Sequence, residues 1–137
     1  MARAVAPRAY AECSPELVAI VSRFFTENWI DAELRPGKQG GAFCACTLPS
    51  LHPYVLMSYT GGARDVMTLA HELGHGVHGV LAAGQGLLEQ DAPLTTSETA
   101  SVFGEMLVFR SLMRDEPDPR ARLALLCGKL EEAVATV

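Results

Sequence analysis

Residues 68–78 read TLAHELGHGVH, and positions 71–75 within them form the pattern H-E-x-x-H. On an α-helix His71 and His75 lie one turn apart and about 40° apart around the axis, so both imidazoles point to the same side. Glu72 projects about 100° away from His71, near enough to reach a water between the histidines without joining the pair. This spacing is typical of a tetrahedral Zn²⁺ site that acidifies water, with a carboxylate to take the proton.

The other side of this predicted helix supports the same interpretation. Apolar residues recur at helical spacing roughly opposite the histidines, at Leu69, Leu73, Val77, Val80 and Leu81. We therefore expect one face to pack in the core and the other to carry a site. Gly76 and Gly79 fall on the side of Glu72, where they would leave room for a substrate, although close helix packing explains either glycine equally well.

Composition favours one globular domain over residues 1–137. The chain has 137 residues, with 49% hydrophobic and 20% charged, which argues against disorder. The net charge of −5 offers no basic field for nucleic acid or anionic lipid. No apolar run approaches the roughly 20 residues of a membrane span, and the N-terminus does not read as a secretory signal, so we expect a cytoplasmic protein with reduced cysteines.

Turn and breaker residues divide the chain into a helix, two strands and three further helices. The predicted elements are a helix over 14–30, strands over 42–47 and 54–59, and helices over 65 to about 83, 95 or 96 to about 114, and about 119 onward. This order predicts a mostly helical α+β fold. In it a zincin-like HExxH helix accompanies a short two-strand element and precedes a helix that carries a further ligand.

Four local signals support the predicted helices. Ser14 before Pro15 predicts an N-cap, and Asp65 predicts a cap or a first-turn acid. Thr95 and Glu98 form a capping-box pattern at the start of the following helix. In the last helix the residues that share an apolar face are Leu123, Leu126, Leu130 and Val134.

A catalytic zinc ion usually takes three protein ligands, so a third ligand must be found outside the HExxH helix. The pattern with a third histidine in that region fails because position 81 is Leu, and His78 lies too far along the axis. A carboxylate on the next helix is best placed: Glu98 shares a face with Ser101 and Glu105 at i, i+3, i+7 spacing.

The spacing leaves alternatives to Glu98 as a ligand. Its role in the capping box explains it equally well, and Glu89 and Asp91 in the preceding loop are weaker candidates. The adjoining apolar side of the same helix is marked by Val102, Met106 and Phe109.

Four segments resemble peptidase family M3, specifically its oligoendopeptidase F branch. They are residues 35–43 (RPGKQGGAF), 49–54 (PSLHPY), 68–78 (TLAHELGHGVH) and 97–105 (SETASVFGE). The resemblance implies one zinc ion held by His71, His75 and Glu98, with Glu72 as the catalytic base. It also implies that Glu105 is a nearby acid of the kind that orients a ligand histidine.

Members of that family are several times longer, and their oxyanion-stabilising segment lies well downstream of the HExxH helix. The chain stops at Val137 before any such segment. We therefore interpret residues 1–137 as the zinc-binding catalytic core of such an enzyme, either a fragment or a minimal form.

The expected activity is zinc-dependent hydrolysis of peptide bonds in oligopeptides, with Glu72 as general base on a zinc-bound water. An extended peptide would pair with one of the two predicted strands. The oxyanion partner would come from another chain or from one of four side chains, namely His52, Tyr54, Tyr59 and His78.

Two other classes of function stay open. A zinc amidase or esterase that does not cleave peptides would use the same pair of histidines, and a zinc-binding core could bind metal or self-associate without turnover. The pair Cys44 and Cys46 shares one face of a predicted strand and could bind a soft metal, although small apolar strand residues are the simpler interpretation.

Overall fold

The computed structural model describes residues 2–135, and its described part is mostly helical with one small sheet, as predicted. Its elements are α1 (Ala2–Ala11), α2 (Pro15–Thr26), β1 (Ile30–Asp31), β2 (Ala42–Ala45), β3 (Tyr54–Met57), α3 (Ala63–Ala82), α4 (Leu94–Asp115) and α5 (Pro119–Ala135). Met1, Thr136 and Val137, which the predicted domain over 1–137 includes, lie outside the described residues. No described helix has the length and apolar character to cross a membrane.

The sheet contains three strands within the described residues, in the order β1-β3-β2, so the predicted two-strand element was incomplete. β3 pairs in parallel with β1 and antiparallel with β2. The missed strand, β1, has only two residues, too few to show an alternating pattern. Because β3 is central, the predicted strand over 54–59 has no free edge for a peptide, whereas β2 lies at one edge of the sheet.

Helix α1 was not predicted from the sequence. Its buried residues are Ala2, Ala6, Ala9 and Tyr10, which pack in the same core as α2, α3 and α4. Three of these four are alanines, which give a weak hydrophobic pattern, and Pro7 inside the helix reads as a breaker. Packing of this small-residue face therefore decides the helix.

Both ends of α2 are formed by side-chain and backbone signals that the sequence contains. The Ser14 hydroxyl accepts a hydrogen bond from the Glu16 amide at 3.2 Å, which confirms the predicted N-cap. The helix ends earlier than predicted, at Thr26, because Asn28 takes a left-handed conformation with φ 59°. The chain then turns, and the Trp29 amide bonds back to the Phe24 carbonyl at 3.0 Å.

Helix α3 begins at Ala63, and Asp65 caps it from its first turn, as the sequence predicted. The Asp65 Oδ2 atom accepts hydrogen bonds from the amides of Thr60, Gly61 and Gly62 at 2.8, 2.9 and 3.2 Å. These three amides come immediately before the first residue of the helix, where backbone N–H groups have no partner within the helix. The single carboxylate thus ties the end of the loop after β3 to the helix that carries the H-E-x-x-H pattern.

Helices α3 and α4 cross at two glycines, which allow their backbones to touch. A Cβ atom at Gly74 would lie 2.6 Å from the Ala100 carbonyl oxygen, and one at Gly104 would lie 3.1 Å from the Ala70 carbonyl oxygen. Neither position accepts a side chain without moving its neighbours, because both contacts are tighter than ordinary van der Waals packing. The crossing brings the start of α4 against the histidine-bearing part of α3.

The glycines on the Glu72 side of α3 serve packing. A Cβ at Gly76 would overlap the Phe24 ring, so the interpretation of Gly76 as room for substrate was wrong. A Cβ at Gly79 would overlap the Cys46 sulfur. The predicted core face of α3 is confirmed at Leu69, Leu73 and Val77, which are buried, but not at Leu81, which is exposed.

The buried face of α4 differs from the one predicted. Of the predicted apolar residues, Val102 and Met106 are exposed and Phe109 is partly buried against the core, whereas Ser101, Glu105 and Val108 are buried. The close approach of the two backbones at Gly104 requires small side chains at the contact, because bulky ones would hold the helices apart. The side of α4 with small and polar residues therefore packs against α3. The predicted capping box is also wrong: the helix starts at Leu94 after Pro93 and has no side-chain cap.

Helix α5 turns a different face inward than its leucines suggest. Its predicted apolar face is exposed, at Leu123, Leu126, Leu130 and Val134. Leu125 packs at the edge of the core, and Lys129, one turn further on, reaches a buried carboxylate of α4. The face of α5 that packs against the protein is therefore determined by the ion pair of Lys129 and by Leu125.

We expect Gly74→Ala to lower the free energy of unfolding by about 1–3 kcal/mol, because the added methyl group meets the α4 backbone. Gly128→Ala is the matched control, since a Cβ there meets nothing within 4 Å, and this substitution in the middle of α5 should stabilise by up to about 1 kcal/mol. Urea denaturation followed by circular dichroism measures both. Equal stability of the two variants would contradict the close crossing.

We expect Asp65→Ala to destabilise the protein by about 1 kcal/mol near neutral pH. The pKa of Asp65 is held below its ordinary value by hydrogen bonds from the Thr60 hydroxyl and from nearby amides. A carboxyl with a lowered pKa in the folded state stabilises above its unfolded pKa, and this contribution is lost as the pH falls through the folded pKa.

The difference between wild type and Asp65→Ala should therefore shrink as urea denaturation is repeated from pH ~7 down to pH ~2. Glu89→Ala, which removes an exposed loop carboxylate, is the control. A difference independent of pH would show that the cap does not act through its charge.

Candidate metal centre

A cavity of about 460 Å³ opens between β2, the histidine side of α3, the loop before α4 and the first turns of α4. Its lining residues include His71, His75, Glu72 and Glu98. The remaining lining residues are Ala42, Phe43, Cys44, Cys46, His78, Gly79, Gln90, Asp91, Ala92 and Ser97. The site therefore combines one strand and two helices.

His71, His75 and Glu98 bring one potential ligand atom each to within 4.8 Å of one another. His71 Nε2 lies 3.3 Å from Glu98 Oε2, and His75 Nε2 lies 3.8 Å from Glu98 Oε1. The imidazole rings are 4.9 Å apart between centroids and nearly perpendicular, at 81°. Two imidazoles and one carboxylate so arranged can hold a divalent metal ion and leave its outer side open to the cavity.

Each histidine has a partner for its second ring nitrogen. His71 Nδ1 lies 3.4 Å from Glu105 Oε2, and His75 Nδ1 lies 3.0 Å from Ser97 Oγ. In the tautomer that leaves Nε2 free to ligate, Nδ1 carries the hydrogen and donates it to these oxygens. Both rings are therefore oriented with Nε2 toward Glu98.

The third donor is held from its own helix. The Ser101 hydroxyl donates to Glu98 Oε2 at 2.9 Å, and the same hydroxyl lies 2.9 Å from the Glu98 carbonyl. Ser101 is fully buried at the crossing of α3 and α4. The position of the Glu98 carboxylate thus depends on the close approach of the two helices.

Behind His71, a buried ion pair links α4 to α5. Lys129 contacts the Glu105 carboxylate, whose side chain is only 5% exposed. Burial acts to raise the pKa of Glu105, but hydrogen bonds from His71 and Lys129 outweigh it and hold that pKa below its ordinary value. Glu105 is therefore ionised at neutral pH and accepts from His71 as a carboxylate.

The two histidines differ in their electrostatic surroundings. The hydrogen bond to Glu105 raises the pKa of His71, while burial and the neighbouring His71 lower the pKa of His75. The two shifts have opposite signs because only His71 has a carboxylate behind it, whereas His75 has the neutral Ser97 hydroxyl.

Glu72 occupies a separate position in the cavity. Its side chain is buried, and it lines the cavity beside Cys44 of β2. Burial raises the pKa of Glu72 above the ordinary glutamate value, despite the opposing charge of His71. A carboxylate with a raised pKa is a stronger proton acceptor, which suits it to general-base chemistry.

The structure brings only some of the other predicted site residues to this cavity. His78 lines it, and so does Asp91, although Asp91 is outside the three-donor cluster. His52 stacks on Trp29 with ring centroids 4.3 Å apart, and Tyr54 packs against His52 on an exposed surface. The Tyr59 hydroxyl is buried without a hydrogen-bond partner among the described residues. His52, Tyr54 and Tyr59 are not among the residues that line the cavity.

Two contributors were missed by sequence reasoning. Ser97 lies at i, i+4, i+8 spacing with Ser101 and Glu105, so a polar stripe along α4 was readable as a buried hydrogen-bonding face. Lys129 had no such signal, because the leucines of α5 suggested that another face turns inward. Its role depends on how α5 lies against α4.

Two histidines one turn apart on a helix, facing a carboxylate on the following helix, are an arrangement typical of metal-dependent hydrolases. The sequence model of peptidase family M3 matches residues 14–136 of this chain. The chain belongs to peptidase family M3, in its oligoendopeptidase F branch.

Individual relatives agree with this assignment. The chain is 31% identical to the chromosomal oligoendopeptidase F of Lactococcus lactis subsp. cremoris, over 85% of this chain and 19% of that protein. It is 28% identical to the oligopeptidase PepF of Bacillus subtilis, over 93% of this chain and 19% of that protein. It therefore spans about a fifth of the length of these relatives.

The fold has a counterpart among solved structures. A crystal structure of a candidate peptidase from Chlamydophila abortus superposes with a TM-score of 0.88 and 25% identity. The match covers 99% of this chain and 23% of that one. The arrangement of helices and sheet thus recurs as a part of a larger protein.

We expect Glu105→Gln to weaken binding of a divalent ion about 10–100-fold, because the amide can no longer accept from His71 as a charged group. The affinity for Co²⁺ is measured by competition with a chromophoric chelator. Glu89, a weaker ligand candidate in the loop, neither lines the cavity nor belongs to the three-donor cluster, so Glu89→Gln is the control and should bind as wild type does. Unchanged affinity in Glu105→Gln would show that Glu105 does not support the metal site.

Proposed function

We propose that this chain is the zinc-binding catalytic core of an oligoendopeptidase that hydrolyses peptide bonds in oligopeptides. The observation that carries the proposal is the convergence of His71, His75 and Glu98 in a cavity that Glu72 also lines. Membership of peptidase family M3 supports it. Residues 1–137 would act as one unit of a cytoplasmic enzyme.

Zinc fits the chemistry of the donor set. Two imidazoles and one carboxylate are ligands that this ion takes in proteins, and one potential ligand atom from each lies within 4.8 Å of the others. His71, His75 and Glu98 would hold the ion, and a hydrogen bond behind each donor would orient it. When bound, zinc supplies a Lewis acid that polarises a carbonyl and acidifies water.

Glu72 would be the general base. It follows His71 directly and points into the cavity without joining the ligand cluster, so it can hold the attacking water. Its raised pKa lets it take the proton of that water and then pass the proton to the leaving amine. His78 is the one of the four predicted oxyanion partners that lines the cavity, which makes it the best placed of them.

The substrate would lie along β2. Ala42, Phe43 and Cys44 of this edge strand line the cavity, and β3 occupies only its other side. An extended peptide can pair with the free edge through backbone hydrogen bonds, which bind any sequence and leave specificity to side-chain pockets. Backbone pairing with β2 would therefore allow oligopeptides of many sequences to bind, rather than one particular substrate.

The test is peptide cleavage by wild type and by Glu72→Gln. We expect Glu72→Gln to retain the metal and to lose activity on an internally quenched peptide by about 10²–10⁴-fold, because the amide cannot accept the proton of water. Metal content is measured by atomic emission after dialysis. Cleavage at the wild-type rate would exclude Glu72 as the base.

Two further measurements separate the alternatives. Glu98→Ala should lose zinc on dialysis together with activity, whereas Glu89→Gln should keep both. Wild-type protein that binds zinc but cleaves no peptide would favour a metal-binding core without turnover. Hydrolysis of esters or simple amides alone would favour the amidase or esterase alternative.

A further inference from the structure

The wall of the cavity opposite the histidine side of α3 carries two thiols. Cys44 lies on β2 and Cys46 directly after its end, so the i, i+2 spacing turns both side chains to one face. Both residues line the cavity, with Cys44 partly buried and Cys46 exposed. The peptidase chemistry proposed above uses neither thiol.

The positions of both residues are set by neighbours on α3 and β3. The Cys46 sulfur occupies the space where a side chain at Gly79 would lie. Cys46 can therefore take this position only because residue 79 is glycine. Cys44 is held by its pairing with Val55 of β3 and lines the same cavity as Glu72. The two sulfurs are therefore presented together to the cavity beside Glu72.

The other two cysteines have no such arrangement. All four are free, and Cys13 and Cys127 are exposed on other elements, one between α1 and α2 and one on α5. They provide an internal comparison for any reagent that needs two neighbouring sulfurs.

We propose that Cys44 and Cys46 form a chelating site for thiophilic ions. Trivalent arsenic, an ion of this class, is the probe that tests the site. Paired sulfur ligands select soft ions over hard ones. A disulfide is a poorer outcome for this pair, since residues i and i+2 of a strand lie about 6.6–6.8 Å apart and a disulfide prefers about 5.5–6 Å between Cα atoms. A bridging ion spans the sulfurs without moving the strand.

The reaction with phenylarsine oxide balances without a change of oxidation state. Cys46 is the exposed member of the pair, so it attacks arsenic first. Cys44 then forms the second sulfur–arsenic bond. The arsenic–oxygen bonds break, the oxygen leaves as water with the two thiol protons, and arsenic stays trivalent.

Binding is tested by mass spectrometry on the full chain. One equivalent of phenylarsine oxide should give one adduct, and iodoacetamide in urea should then label Cys13 and Cys127 while Cys44 and Cys46 stay protected. Cys46→Ala should weaken binding about 100-fold or more, because the second sulfur acts at high effective concentration. Cys44→Ala gives the same test should Cys46→Ala not fold.

The control is the double variant Cys13→Ala/Cys127→Ala, which should bind as wild type does. A dithiol should reverse the adduct, whereas a monothiol at equal concentration should not. Wild-type affinity in both Cys44→Ala and Cys46→Ala, or protection of Cys13 or Cys127 instead, would overturn the proposal.

Occupancy of the pair would also obstruct the space beside Glu72 and β2. We expect the adduct to reduce the rate of peptide cleavage at least tenfold, which corresponds to about 1.4 kcal/mol. The zinc content should stay unchanged. This consequence rests on the proposed function, and full cleavage by the adduct would overturn it. The mass measurement does not use peptidase activity, so failure of the proposed function leaves the binding test intact.

Discussion

The site depends on the contact between the backbones of α3 and α4 at Gly74 and Gly104. Without side chains at these positions the helices approach until a methyl group would meet carbonyl oxygen or backbone carbon. Only at this distance does a carboxylate from the first turns of α4 reach two imidazoles on α3. Glu98 lies 3.3 Å from one histidine and 3.8 Å from the other, so a small separation of the helices would remove the third donor.

The close crossing also explains why a polar seam is buried in the core. Ser97, Ser101 and Glu105 follow one side of α4, and each has a hydrogen-bond partner at the site. Burying such groups costs free energy unless they are paired, and here the pairs orient the donors. Lys129 completes the arrangement by neutralising Glu105 from a helix that otherwise contributes little to the core. Stability and site geometry therefore rest on the same contacts.

The cavity has two chemically different walls. The helical wall carries imidazole and carboxylate donors suited to a borderline metal ion, and the strand wall carries two sulfurs suited to a softer one. Glu72 lines the same cavity as both walls. A ligand on either wall thus alters the surroundings of the residue placed to accept the proton.

Local sequence determined the helix that carries His71, Glu72 and His75, because helical periodicity and the fixed angle between successive residues are properties of neighbours in the chain. It also indicated the Ser14 cap and the Asp65 cap for the same reason. Tertiary structure alone decided which face of α4 is buried, that β1 joins the sheet, that the N-terminal alanines form a helix and that Lys129 meets Glu105. Each of these depends on contacts between residues distant in sequence, whose free energy overrides local propensity. On α4 the stripe of Ser97, Ser101 and Glu105 is periodic in the sequence, but only the contact with α3 makes it the buried face.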